Sequence, residues 1–104
     1  MVTPVEKGIA AERLIRTKLR EEGYIVMRSA ASKGPIDLLA ANKSERLAIQ
    51  VKAGGKKPSK QELSEVYMAS QLFAAKPIIA KKYQKRWWLY LIQENLELKP
   101  LRLI

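Results

Sequence analysis

The chain contains no cysteine and no histidine. Together those absences exclude disulfide staples, thiol nucleophiles, imidazole acid–base catalysis and Cys/His zinc sites. Any bound metal is left with oxygen ligands, which suit Mg²⁺, with Mn²⁺ as the alternative. Aspartate occurs once, at Asp37. No apolar run approaches the roughly 20 residues of a membrane-spanning helix. No signal segment precedes Glu6-Lys7, so a cytoplasmic protein without a membrane partner is expected. Acidic residues are also scarce: 10 Asp+Glu against 20 Lys+Arg leave a net charge of +10 over 104 residues. That imbalance favours a polyanionic partner, nucleic acid ahead of a membrane surface. Between Val66 and Gln93 no acidic residue occurs, while Lys76, Lys81, Lys82, Lys85 and Arg86 do, either as a solubilising surface or as part of an anion-binding one. A chain of this length builds one core, so a single domain over 1–104 is expected, with any site sharing the core's own elements.

Hydrophobic periodicity predicts a helix over 5–22, a strand over 24–30, a hairpin-connected strand pair at 36–41 and 47–53, a helix over 60–75 and strands near 77–81 and 86–92. The second helix has the clearer start. Ser59 followed three residues later by Glu62 is a capping box, and Pro77 marks the end. Gly54-Gly55-Lys56-Lys57 forms a basic loop and Ser29 to Gly34 a polar one, while the tail from Asn95 to Ile104 is an edge strand or a loosely docked end.

In Leu47–Lys52 a period of two puts Leu47, Ile49 and Val51 on one face of a strand and Gln50 and Lys52 together on the other. An ammonium among apolar residues calls for a counter-charge, and Asp37, in the preceding apolar run, is the candidate. Asp, Gln and Lys presented at one spot by adjacent strands look like a metal-dependent phosphodiesterase site. On the first helix, Val5, Ile9, Ile15 and Leu19 form an apolar stripe with Glu12 near its middle, which points that carboxylate inward. Plainer readings stand beside these: Lys52 snorkelling to water, Asp37 capping a turn after Gly34-Pro35, and Glu12 pairing with Arg16 four residues on. Trp87 and Trp88 open an apolar strand and read as packing rather than as base-stacking platforms.

In order along the chain, these residues resemble the archaeal Holliday-junction resolvases of the PD-(D/E)xK nuclease superfamily. Lys7-Gly8 with Glu12-Arg13 is similar to the family's N-terminal helix motif, and Gly23-Tyr24 to Arg28 to its first strand. Ser29 to Asp37 resembles the active-site loop with its metal-binding aspartate, Gln50-Val51-Lys52 stands at the Glu-x-Lys signature, and Ser59 through Ala80 resembles the following helix and strand. The resemblance implies an α/β fold, a central mixed sheet flanked by helices of restriction-endonuclease-like type. It also implies a homodimeric, Mg²⁺-dependent endonuclease acting on branched DNA such as four-way junctions. The implied catalytic set is Glu12, Asp37, Gln50 and Lys52, and the implied metal ligands are Asp37, the Gln50 side-chain oxygen, the Val51 carbonyl and Glu12. Arg13, Arg28, Ser32, Lys33, Lys56 and Lys57 are expected to hold DNA. One departure stands out: the family's glutamate is Gln50 here, which removes a negative charge from the site. Two alternatives remain open, a related nuclease acting on flaps, nicks or duplex, and a basic DNA-binding relative without catalysis. The second helix is expected to turn Leu63, Val66, Tyr67, Ser70, Phe73 and Ala74 to the sheet, leaving Met68 and Leu72 for a dimer contact.

Overall fold

Thr3 starts the first helix, its Oγ1 accepting the Glu6 N–H at 3.1 Å, with Pro4 in the first turn. In the computed structural model, which describes residues 2–29, 34–55 and 57–104, helix α1 runs Pro4–Glu21. Glu6 in its first turn and Lys18 and Arg20 in its last complement the helix dipole. Its buried residues are Ala11, Ile15 and Leu19. Val5 and Ile9, expected in the stripe, are exposed, because the helix meets the sheet only from its third turn onward. Gly23, at φ 97°, then takes the left-handed conformation that reverses the chain.

Strands β1 (Ile25–Arg28), β2 (Leu38–Ala41) and β3 (Arg46–Lys52) form an antiparallel meander. Helix α2 (Lys60–Leu72) then crosses over so that β4 (Lys76–Tyr83) lies parallel to β3. Strands β5 (Arg86–Ile92) and β6 (Leu98–Leu103) add on antiparallel, giving one six-stranded mixed sheet in the order β1-β2-β3-β4-β5-β6. The tail is thus an edge strand, with a register irregularity opposite Leu89 and Tyr90. Pro77, expected to end the second helix, lies inside β4 beside Ala48; the helix stops at Leu72, and Ala74 turns left-handed at φ 52°.

Period-two alternation divides the core between the two faces. Ile15 and Leu19 of α1 pack with Leu38, Leu47, Ile49, Ile78 and Leu89, while Leu63 and Val66 of α2 pack with Ile79 and Ile92 on the other side. Each fully buried Leu or Ile contributes about 1.5–3 kcal/mol relative to exposure. Phe73 does not join the second core: it caps α2 and remains 52% exposed. The odd-numbered apolar residues of β3 face α1, so Gln50 and Lys52 are turned toward α2.

Candidate active site

Asp37 sits one residue before β2 and is fixed by three backbone-linked hydrogen bonds. Its N–H donates to the Ile49 carbonyl at 2.8 Å, its carbonyl accepts the Ser29 N–H at 2.9 Å, and its Oδ2 accepts the Val51 N–H at 2.8 Å. The first two extend the backbone hydrogen bonding one residue beyond the start of β2, toward β3 and β1. The third holds the carboxylate over β3 between Gln50 and Lys52 in sequence.

Burial pushes the Asp37 carboxyl above the usual range; the Val51 N–H acts against this, the Glu12 charge adds to it, and the Lys52 charge opposes it. The negative charges of Glu12, on α1, and Asp37, just before β2, thus disfavour each other. Glu12 is half-buried, and of the ion pairs among the described residues none joins it to Arg16. It adjoins the buried Ala11 on α1, and the i,i+4 pairing with Arg16 is not made among the described residues.

Lys52 departs from expectation in its partner. Its ammonium lies 2.6 Å from Glu62 Oε2, on the first turn of α2, rather than on Asp37. Glu62 Oε1 accepts the Ser59 N–H at 2.9 Å, and Ser59 Oγ accepts the Glu62 N–H at 3.1 Å, completing the capping box. The Lys52 ammonium, followed by the Ser59 N–H, holds the Glu62 carboxyl below the usual range. Sequence reasoning assigned Glu62 to the cap alone; the signal available was its place just after the Gly54-Gly55 loop that leads from Lys52 to α2.

Gln50 supplies the remaining clue. Its Oε1 is buried and has no hydrogen-bond partner, a costly condition for an amide oxygen unless something electropositive meets it. Among the described residues no three carboxylates gather into a metal cluster. A hard cation here would draw on two carboxylates, Asp37 and Glu12, and on the Gln50 oxygen. Those groups fit it chemically, since such an ion would offset the carboxylate repulsion and satisfy the orphaned acceptor together. Val51 is fixed in the same place through its N–H.

The DNA-binding expectations divide. Arg28, at the end of β1, lines a cavity of about 280 Å³ that also contains Asp37, Pro35, Met27, Ala69 and Phe73. Arg13 is exposed on α1 and Lys57 is exposed ahead of α2. Ser32, Lys33 and Lys56 lie outside the described residues.

Over residues 4–100 the sequence matches the family described as archaeal Holliday junction resolvase (Hjc). It is 36% identical over 80 residues to the crossover junction endodeoxyribonuclease Hjc of Methanocaldococcus jannaschii, an overlap of 74% of this chain and 59% of that protein. The chain thus spans about three fifths of that relative's length. The fold is similar to that of Archaeoglobus fulgidus Hjc, a Holliday junction resolvase, with a TM-score of 0.69 and 29% identity over 80% of this chain and 70% of that one. A bacterial homing endonuclease shares the fold alone, at TM-score 0.59 and 12% identity over 88% of this chain and 67% of its own. These likenesses bear out the expected restriction-endonuclease-like architecture, a central mixed sheet with a helix on each face. The chain belongs to the archaeal Holliday junction resolvase family.

Proposed function

We propose that this chain is a Mg²⁺-dependent endonuclease that cuts four-way DNA junctions by paired symmetric nicks, acting in the cell interior as a homodimer. The observation that carries this reading is the buried, unpartnered Gln50 Oε1, on the strand residue next to the Val51 whose N–H holds the Asp37 carboxylate. When bound, a divalent ion supplies Lewis-acid polarisation of the scissile phosphate and a lowered pKa for an attacking water. Asp37, Glu12 and Gln50 would hold it. Lys52 has three N–H donors and Glu62 engages one of them. Among the described residues the other two have no partner, and they would orient the water and stabilise charge developing on phosphate oxygens. Arg28, which lines a cavity together with Asp37, and Arg13, on α1, would hold the DNA backbone.

Symmetric cutting needs two sites related by a two-fold axis. A face suited to that axis lies on the α2 side of β1 and β2. Ile25 (76% exposed), Met27 and Phe73 line one cavity there, and Met68 and Leu72 (89% exposed) on α2 are exposed as well, apolar surface of the kind that marks an interface. It includes the Met68 and Leu72 expected from the sequence and adds strand residues to them.

A second reading, binding without cleavage, draws on the missing charge at Gln50. One experiment separates the two. The protein is incubated with a synthetic immobile junction and with linear duplex of the same sequence, with and without Mg²⁺. Paired nicks on the junction only, and only with metal, are expected. Binding without cleavage under all conditions would favour the second reading, and equal cutting of plain duplex would remove junction specificity.

A further inference from the structure

On α1, Lys7, Leu14 and Lys18 lie within roughly 40° of one another and roughly 120–160° around the helix from Glu12, at 3.6 residues per turn. That flank faces the β4–β5 hairpin. Two adjoining cavities, of about 390 and 330 Å³, run along it and share Leu14, Lys82 and Trp87. Lys7 lines the first, beside Ala53 and Gly54; Lys18, Lys85 and Arg86 line the second. No acidic residue lines either, and none of these five cations takes part in an ion pair among the described residues. In this they differ from Lys52, Lys76 and Arg102, each of which is held by a glutamate.

The turn that presents Lys85 adds an independent observation. Gln84 and Lys85 have φ 50° and 67°, both left-handed, at the two central positions of the Tyr83–Arg86 turn. Asn-Gly is the pair that adopts this geometry with least strain, yet the chain places a long amide and a cation there. Strain is tolerated at a position that projects charge toward the groove.

We infer that this groove between α1 and the β4–β5 hairpin is a second DNA-contacting surface that takes the phosphate backbone of a duplex arm. From Lys7 to Lys18 the helix rises about 16 Å, close to five base-pair steps of B-form duplex. Cations on both walls, with Leu14 and Trp87 between them, match a backbone lying lengthwise rather than a small anion at one point. The inference rests on the DNA-directed reading above and deepens it: the metal site engages the point of strand exchange, and the far flank of α1 holds duplex leaving it.

The test is metal-free binding, so that no cleavage is required. Dissociation constants for linear duplex and for a four-way junction are measured across a salt series. Three proteins are compared: the parent, Lys82→Ala/Arg86→Ala in the groove, and Lys43→Ala/Lys99→Ala, which removes the same charge from exposed positions outside it. Thermal melts check that all three are folded. Each lost phosphate contact lowers the slope of log Kd against log salt by about 0.9, so the groove variant should lose about 2 from the slope and the control well under 1. Equal slopes for the two variants would overturn the inference, as would absence of DNA binding by the parent. A slope lost with single-stranded DNA but retained with duplex would overturn the duplex assignment. A parent that shows the predicted slope change yet never nicks junctions would leave the groove standing and remove the nuclease reading.

Discussion

The Lys52 ammonium and Glu62 Oε2 lie 2.6 Å apart, so a strand lysine of the candidate site is held by the first turn of the helix that follows it. Glu62 is itself fixed to Ser59 through both its N–H and its other carboxylate oxygen. The contact biases a flexible four-carbon side chain toward one orientation before any substrate arrives.

Lys52→Ala is expected to slow single-turnover cleavage of a junction by about 10²–10³-fold, the scale for loss of one donor to developing negative charge. Junction affinity should fall only a few-fold, since many other cations contact phosphates. Rate constants at saturating protein, set beside Kd values in the absence of metal, check both. Parent-like cutting by the variant would remove Lys52 from the mechanism.

Glu62→Gln keeps a residue that completes a capping box while removing the charge that Lys52 pairs with. The melting temperature should hardly move, because a partly exposed pair contributes about 0–1 kcal/mol. Cleavage should nevertheless slow, and the effect should vanish when Lys52 is already alanine. A double-mutant cycle on the cleavage rate measures that coupling.

Asp37→Asn should abolish cleavage and stabilise the metal-free protein at neutral pH. Burial, the largest cause, raises the folded-state pKa of Asp37 above its unfolded value, so between those values the folded state binds more protons. Stability from this group therefore falls as pH rises through the unfolded pKa toward the folded one. Melts in EDTA at pH 4 and pH 7 should show a smaller loss on going to neutral pH for Asp37→Asn than for the parent.

Gln50→Glu should lower the Mg²⁺ concentration for half-maximal cleavage, because a charged oxygen binds a hard cation more strongly than an amide oxygen. Without metal the added charge meets Asp37 and Glu12, so melting should drop in EDTA and recover more on metal addition than in the parent. Metal-titrated cleavage and melts of both proteins read this out. Unchanged values in both would mean that position 50 does not face the ion.

Glu45 carries a pH effect of opposite sign. It accepts from the Tyr24 hydroxyl and from Lys76 at 3.0 Å, and these hold its carboxyl below the usual range. Its stabilising contribution is present above the unfolded pKa and is lost as pH falls through the folded one. Glu45→Gln should therefore melt lower than the parent at pH 6, with the difference closing toward pH 3.

The faces of β3 were legible because period-two alternation is a local property: Leu47 and Ile49 went to one core, and Gln50 and Lys52 to the other side. Periodicity says which way a side chain points and not what stands opposite, so the Glu62 partner was hidden although its capping role was plain. The same limit concealed Arg102, whose guanidinium grips Glu22 with two bonds of 3.0 and 2.7 Å across 80 residues of sequence. Phe73 was misplaced for another reason. The apolar stripe of α2 continues past Leu72 in the sequence, but the helix ends there, and Phe73 as its C-cap keeps its ring exposed. Glu12 stood out in the sequence because a carboxylate inside an apolar stripe violates the pattern around it, although Val5 and Ile9 of that stripe are exposed.

The sheet's strand order places a constraint on when the site exists. Neighbours β1–β2, β2–β3, β4–β5 and β5–β6 are antiparallel and consecutive in the chain, so each pairs without an intervening helix. Only β3–β4 is parallel and must wait for α2 to form and cross. Asp37, Gln50 and Lys52 belong to the early meander, whereas Glu62 arrives with the crossover. During synthesis or refolding, the half-formed chain would carry its carboxylates without the clamp that fixes its lysine, so competence to cut would come with completion of the slowest pairing in the fold.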